Sequence, residues 1–138
     1  MNWTFITVEA LIEKPIEIVW KSWTSPEHIV HWCFASDDWA CPAASNDLTV
    51  GGTFTSTMAA KDGSMSFDFS GVYTEVVEHE KIAYGLADGR TVSITFKVVE
   101  GGVNVTETFA AENENPVDMQ QAGWQSILNN FKKHTESL

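Results

Sequence analysis

A chain of 138 residues is long enough for one domain with a real core. Its 19 acidic side chains outnumber its 8 Lys and Arg, a formal charge of −11, so the surface repels phosphate backbones and anionic lipid, which sets nucleic acid and membrane aside as partners. No stretch approaches the roughly 18 apolar residues of a membrane span, and the N-terminus, Met1-Asn2-Trp3-Thr4-Phe5, has no basic start ahead of an apolar run, so a cytoplasmic location is expected.

Thr4 to Ile12 alternates as a strand, with Ile6, Val8, Ala10 and Ile12 on one face and Trp3 and Phe5 on the other. Lys14-Pro15 ends it, and Pro15 stands where a helix can begin without an N–H partner. A short helix over Ile16 to Trp23 follows, with Val19, Trp20 and Trp23 on one side. Thr24-Ser25-Pro26-Glu27 starts a second helix that His28 to Trp32 completes. Cys33 to Leu48 is the least regular stretch and reads as a loop with one short strand near Asp38 to Ala43.

From Thr53 the pattern becomes a run of hairpins. Thr53 to Ala59 carries Phe54, Ser56 and Met58 on one face, and Lys61-Asp62-Gly63-Ser64 turns the chain. Met65 to Val77 alternates as Met65, Phe67, Phe69, Gly71 and Tyr73, with Gly71 reading as a bend or bulge in a curved sheet. Lys81 to Leu86, Arg90 to Val99 and Val103 to Phe109 follow, separated by Asp88-Gly89 and Gly101-Gly102. A polar linker, Glu112 to Pro116, leads into a long amphipathic helix over Pro116 to Leu138. Its stripe is Gln120, Trp124, Ile127, Leu128 and Phe131, of which Trp124, Ile127, Leu128 and Phe131 are expected buried against the concave side of the sheet. The order predicts an α+β domain spanning residues 1–138, an antiparallel sheet covered by one long helix.

Two cysteines, Cys33 and Cys41, are expected to be reduced thiols in such a compartment. His28, His31 and Cys33 do not recur at a metal-finger spacing, so no metal is expected, and no cofactor motif is present: Gly51-Gly52 lacks the helix a nucleotide loop requires.

Several strings in order and spacing carry a resemblance. They are Lys14-Pro15-Ile16-Glu17-Ile18-Val19-Trp20, Thr24-Ser25-Pro26-Glu27 leading to Trp32, Asp47-Leu48-Thr49-Val50-Gly51-Gly52-Thr53-Phe54 and Phe67-Asp68-Phe69-Ser70-Gly71-Val72-Tyr73. Asp88-Gly89-Arg90 and Gly123-Trp124-Gln125-Ser126-Ile127-Leu128-Asn129-Asn130-Phe131 complete the set. Together they resemble the helix-grip fold of the START/Bet v 1-like (SRPBCC) superfamily, in particular the family named for the activator of Hsp90 ATPase. The resemblance implies a curved antiparallel sheet wrapped around the C-terminal helix, a cavity between them, and binding of a small hydrophobic molecule. It implies no reaction. In the co-chaperone that gives the family its name, a separate N-terminal domain carries most of the ATPase stimulation, so an Hsp90 role rests on fold-level similarity alone.

The candidate ligand-binding residues are Trp32, Trp39, Phe54, Phe67, Phe69, Phe96, Gln120 and Trp124. Aromatic side chains fill cores as readily as they line pockets, and the same list serves either purpose. Gln120 is an amide on an oily stripe, placed either toward a ligand or onto the polar linker beside it. Glu107 and Asp68 are the candidate catalytic carboxylates: alternation puts Glu107 on the face of Val103, Val105 and Phe109, and Asp68 opposite Phe67 and Phe69. His31 and His134 are the remaining acid/base candidates; the helix dipole alone accounts for a cation at His134. The resulting expectation is a binding protein for a small, largely apolar molecule, in a stress or sensing role. The alternatives are an enzyme of the polyketide-cyclase or hydrolase kind using an in-cavity carboxylate, and a chaperone-related protein-interaction module.

Overall fold

The structure, a computed structural model, describes residues 3–138. Seven strands form one antiparallel sheet: β1 (Phe5–Ile12), β2 (Trp39–Asn46), β3 (Thr53–Ala60), β4 (Ser66–Val77), β5 (Lys81–Gly85), β6 (Thr91–Val99) and β7 (Gly102–Ala110). Their spatial order is β1-β7-β6-β5-β4-β3-β2, so the strands from β2 to β7 pair each with the next and β1 closes beside β7. Two short helices, α1 (Ile16–Thr24) and α2 (Pro26–Ile29), bridge β1 and β2, and α3 (Val117–Glu136) lies across the concave face. No helix among the described residues is long and apolar enough to cross a membrane.

Alternation sorts most side chains of β1, β6 and β7 as expected, but Val98, on the face of Val92, Ile94 and Phe96, and Phe67, on the face of Phe69 and Tyr73, lie exposed. Ile6, Val8 and Ile12 on β1, Val92, Ile94 and Phe96 on β6, and Val103, Val105 and Phe109 on β7 are all buried, while Phe5 and Val98 are exposed. Two register shifts bend the sheet, between Ala40 and Ala43 and between Tyr73 and Glu75. The bend in β4 therefore falls after Tyr73 rather than at Gly71. Gly71 answers a different demand: a Cβ there would sit 2.7 Å from Phe54 Cε1 and 2.9 Å from Tyr84 Cδ2. Only glycine lets two rings close over the backbone at that point.

Helix α3 has two halves with different jobs. Its C-terminal half is sealed into the core: Leu128 and Phe131 are buried, and Thr135 Oγ1 shares a 2.8 Å hydrogen bond with Ser22 Oγ on α1, both residues fully buried. The Trp32 indole N–H donates to Ser22 O at 3.0 Å, and Asn130 Nδ2 donates to Phe34 O at 2.6 Å. Along β1, Lys132 Nζ donates to Leu11 O at 2.5 Å, and the Glu13 N–H donates to Glu136 Oε2 at 2.8 Å. The N-terminal half of α3 carries Trp124 and Ile127, which are only half-buried and span open space. Glu9 O accepts from Gln125 Nε2 at 3.2 Å, which fixes this half over the β1 edge.

Candidate functional site

Between the N-terminal half of α3 and the sheet lies a cavity of about 440 Å³, within the range that takes a drug-sized molecule. Its deep wall is made by Ile82 and Tyr84 of β5, Tyr73 of β4, Ser56 of β3 and Glu107 of β7, all buried, with Trp32 and Cys33 from the end of α2. Its mouth is marked by exposed lining residues, Ala35, Phe67, Asn115 and Met119. Phe67 is 47% exposed and Met119 62% exposed, so the rim itself is apolar.

Aromatic geometry shapes the walls. The Trp124 indole stacks flat on Phe109, centroids 3.9 Å apart and planes 8° from parallel, and meets Phe69 edge-on at 6.0 Å. Phe54 meets Tyr84 edge-on at 4.6 Å and lies 5.4 Å from Tyr73. Tyr73 is anchored by its hydroxyl, which donates to Asn46 Oδ1 at 2.5 Å, while Asn46 Nδ2 donates to Thr24 O at 2.7 Å. Burial pushes the Tyr73 phenol well above the ordinary tyrosine range.

Of the residues singled out from the sequence, Trp32, Phe54, Phe67, Phe69, Gln120 and Trp124 line this cavity. Trp39 and Phe96 do not. Phe96 faces the closed end of the concave surface, where it meets Trp20 at 5.2 Å and Trp23 at 5.8 Å. Trp39 starts β2 and leans on Phe67 at 5.9 Å, outside the lining. Gln120 serves both of the roles weighed for it, but its hydrogen bonds go to the linker. It accepts from Glu112 N at 2.9 Å and donates to Glu112 O at 3.1 Å and Asn115 O at 2.8 Å. Its amide is therefore a clasp for the linker, and its flank borders the cavity.

The two carboxylates part company. Asp68 is exposed and accepts a 2.8 Å hydrogen bond from Thr57 Oγ1 across the β3–β4 pair, on the outer face of the sheet. Glu107 is 6% exposed and sits in the cavity wall. Its cross-strand neighbours are Val8 on β1 and Ile94 on β6, both apolar and buried. No hydrogen bond from the described residues reaches its carboxyl group, although every fully enclosed polar side-chain atom among them has a partner. Loss of water without compensation raises its pKa to about 8.

Other polar groups stand around the same wall. Tyr84 is buried, and its phenol is pushed well up by desolvation and by the field of Glu107. Cys33 and Cys41 are buried free thiols near enough to bias one another: contact with Cys41, with burial, raises Cys33, and the same contact lowers Cys41. Ser56 stands beside Cys33. Alternation on the Phe54-Ser56-Met58 face was the available signal for Ser56; nothing local marked Tyr84 or Cys33. Arg90 reaches the rim, but its Nε is held by Asp88 Oδ2 at 2.7 Å. No group of His, Cys, Asp and Glu among the described residues is arranged to hold a metal ion.

A separate histidine cluster lies where α2 meets the end of α3. His28 Nδ1 and His134 Nε2 share a 3.0 Å hydrogen bond, and His31 stacks on His134 at 5.3 Å and 15°. Partial burial and the neighbouring His28 and His31 lower the pKa of His134. The His28–His134 bond needs one nitrogen without a proton. A folded-state pKa below the unfolded value means stability present above pH 6.5 and lost as pH falls further. His134→Gln is expected to flatten the fall in urea midpoint between about pH 6.5 and pH 5. An unchanged slope in that variant would remove the cluster from the account of acid sensitivity.

The comparisons with known proteins agree with this geometry. A model of the family described as Activator of Hsp90 ATPase homolog 1-like protein matches residues 13–136. The solution structure of an AHSA1-like protein from Aeromonas hydrophila is 46% identical with a TM-score of 0.91, over 97% of this chain and 93% of that one. The solution structure of a protein from Cytophaga hutchinsonii is 55% identical with a TM-score of 0.83, over 96% of this chain and 92% of that one. A crystal structure from Nitrosomonas europaea shares the fold at 18% identity and a TM-score of 0.82, covering 96% and 94% of the two chains. Among curated proteins, none matches.

Proposed function

The chain belongs to the Activator of Hsp90 ATPase homolog 1-like family, and on that premise we propose that it binds a small, largely hydrophobic molecule in the cavity under α3, in a sensing or stress-related role. The fold commonly binds hydrophobic ligands. The observation that carries the reading for this chain is the division of α3. One half is hydrogen-bonded and packed into the core, while the other, from Met119 to Ile127, leaves an aromatic-walled space of about 440 Å³ unfilled. A core that needed the helix only for stability would close that space, because voids forgo dispersion and cost free energy. The reading places the ligand in the space bordered by Trp124, Phe69, Phe54 and Tyr84, with the exposed Phe67 and Met119 at its entrance.

The test uses naphthylmethanol, an uncharged flat probe, followed by calorimetry and by tryptophan emission. Saturable binding is expected in the native chain. Gly123 lines the cavity and a Cβ there would meet nothing within 4 Å. Gly123→Leu should therefore fold, gain about 0.5–1 kcal/mol from helix propensity, and lose at least tenfold in affinity as the new side chain occupies the space. If Gly123→Leu binds the probe as the native chain does, the cavity is not the binding site. The protein-interaction reading then takes first place.

A second reading is favoured by one observation, the Glu107 carboxyl in the cavity wall with a pKa of about 8. A group so tuned is suited to proton transfer at neutral pH. Conversion of a bound compound, abolished in Glu107→Gln while binding persists, would move acid–base chemistry ahead of simple binding.

A further inference from the structure

Glu107 is the one cavity group whose presence packing does not explain. Its register position, between Val8 and Ile94 and on the face of Val105 and Phe109, is one where the sheet elsewhere places valine or isoleucine. A leucine or methionine of similar size would fill it at no electrostatic cost. The carboxyl is nearly fully buried, borders the cavity and receives no hydrogen bond from the described residues. The hydroxyl of Tyr84, on the same wall, has no hydrogen bond from them either. Two oxygen-bearing groups are thus turned toward one apolar space without partners.

The surroundings of this pair favour one sign of charge. Aromatic faces present negative potential, and Trp32, Trp124, Phe54, Phe69 and Tyr84 enclose the space. Among the described residues the one cationic side chain at the cavity is Arg90, and its guanidinium is already held by Asp88. The chain as a whole carries a formal charge of −11, which concentrates cations and repels anions near its surface.

We propose that the cavity selects an apolar, preferably aromatic, molecule bearing a protonated amine, with Glu107 receiving the ammonium group and the Tyr84 hydroxyl accepting a second hydrogen bond from it. The inference rests on the binding reading above and specifies its ligand class. An ammonium group brings what the wall lacks: N–H donors for both oxygens and a positive charge for the aromatic faces. Carboxylic acids are disfavoured, since their carboxylate would leave water for aromatic faces of negative potential, with the Arg90 guanidinium already held by Asp88. Uncharged molecules bind through the aromatic walls but leave the polar pair unused.

The titratable groups facing Glu107 across the cavity are Tyr84 on β5, Tyr73 on β4 and Cys33 after α2, with Arg90 at the rim. The phenols and the thiol are all shifted toward their neutral forms, so Glu107 alone changes charge between pH 6 and pH 8. In the empty cavity its proton is retained up to about pH 8. An ammonium ligand displaces that proton, and its affinity must rise with pH over that interval. A neutral acceptor would prefer the protonated carboxyl and show the opposite trend.

Calorimetry with naphthylmethylamine, naphthylmethanol and naphthoate separates the outcomes. At pH 8 the amine should bind at least tenfold more tightly than the alcohol, and the acid at least tenfold more weakly. The amine-to-alcohol ratio should grow between pH 6 and pH 8. Titrations in buffers of different ionisation enthalpy should show close to one proton released per amine bound at pH 7. In Glu107→Gln the ratio should collapse toward one and the proton release should vanish. Tyr84→Phe, which keeps the ring, should lower the ratio about threefold. Alcohol binding without amine preference overturns the ligand class and leaves the cavity reading standing. An affinity for the amine that falls with rising pH overturns it in favour of a neutral acceptor. Failure of all three probes overturns both.

Discussion

Glu107→Gln should make the protein more stable, and the gain should depend on pH. In the folded chain the carboxyl has its pKa raised to about 8 by burial; in the unfolded chain it returns to the ordinary value of 4.5. A group with a raised folded pKa contributes stability that is fully present below the unfolded value and is lost as pH rises through the folded one. Near pH 4.5 the native chain therefore pays nothing for Glu107. At pH 7 the unfolded chain is favoured by the full ionisation of that carboxyl, a difference of about 3 kcal/mol at 1.36 kcal/mol per pKa unit. Glutamine does not titrate, but it buries an amide of its own without a partner, which offsets part of the gain. The net expectation is an increase of about 1–3 kcal/mol at pH 7–8, or a few degrees in Tm, against none near pH 4.5. Urea titrations of both proteins across that range isolate the residue, because every other titrating group cancels in the difference. A pH-independent difference would mean that Glu107 is solvated or partnered in the native state. The cavity argument would then lose its polar end.

A protein that gives up stability at one buried position needs a compensating use for it, and natural sequences depart from stability optima mainly where function requires it. The departure at Glu107 is local. Its strand neighbours Val103, Val105 and Phe109 are all buried and all apolar. The residues nearest it on the flanking strands, Ile6 and Val8 on β1 and Val92, Ile94 and Phe96 on β6, are likewise buried and apolar. The exception thus lies within a wall otherwise built for packing, and it opens on the one space the helix leaves unfilled.

Alternation and turn residues made the strands legible. Asp-Gly and Gly-Gly pairs fall where the hairpins turn, and β1, β5, β6 and β7 bury most of the face their pattern assigns. β2 was harder, because Trp39–Asn46 contains Pro42 and a register shift that erase the period-two signal. The long helix was plain from its stripe, yet the stripe did not show that it divides. Leu128 and Phe131 meet α1 and the core, while Trp124 and Ile127 meet the cavity. That division depends on where α1 sits on the concave face, which is a tertiary fact. The same fact decides Phe96, which shares the concave face with cavity residues but lies under α1, against Trp20 and Trp23. Glu107 was legible as an inward carboxylate from its strand face alone. The absence of any partner for it was not, since that follows from the register with Val8 and Ile94.

The division of α3 has a direct consequence for mutants. Phe131 is fully buried, its ring edge-on to Trp23 at 4.8 Å and to Trp32 at 5.0 Å. Phe131→Ala leaves a void beside the two indole rings that the helix, tied by Thr135 and Asn130, cannot collapse to fill. The cost should be about 3–5 kcal/mol, in the upper range for large-to-small core changes. Trp124 is about two turns nearer the N-terminus of the helix, half-buried, stacked on Phe109 and part of the cavity lining. Trp124→Ala enlarges a space that already exists and opens to solvent, so less packing is forfeited, and about 1–2 kcal/mol is expected from the lost stacking and area. The order should reverse for binding. Trp124→Ala should weaken naphthylmethanol at least tenfold, because the indole is the largest apolar surface the helix offers to the cavity. Phe131→Ala, at temperatures where it remains folded, should change the affinity by less. Denaturation and calorimetry on the same two variants give both columns of this comparison. If Phe131→Ala proves mild and Trp124→Ala severe in stability, Trp124 belongs to the core and α3 is one continuous packing element. If the expected crossing of the two effects is seen, the helix holds the fold with its C-terminal half and the ligand with its N-terminal half.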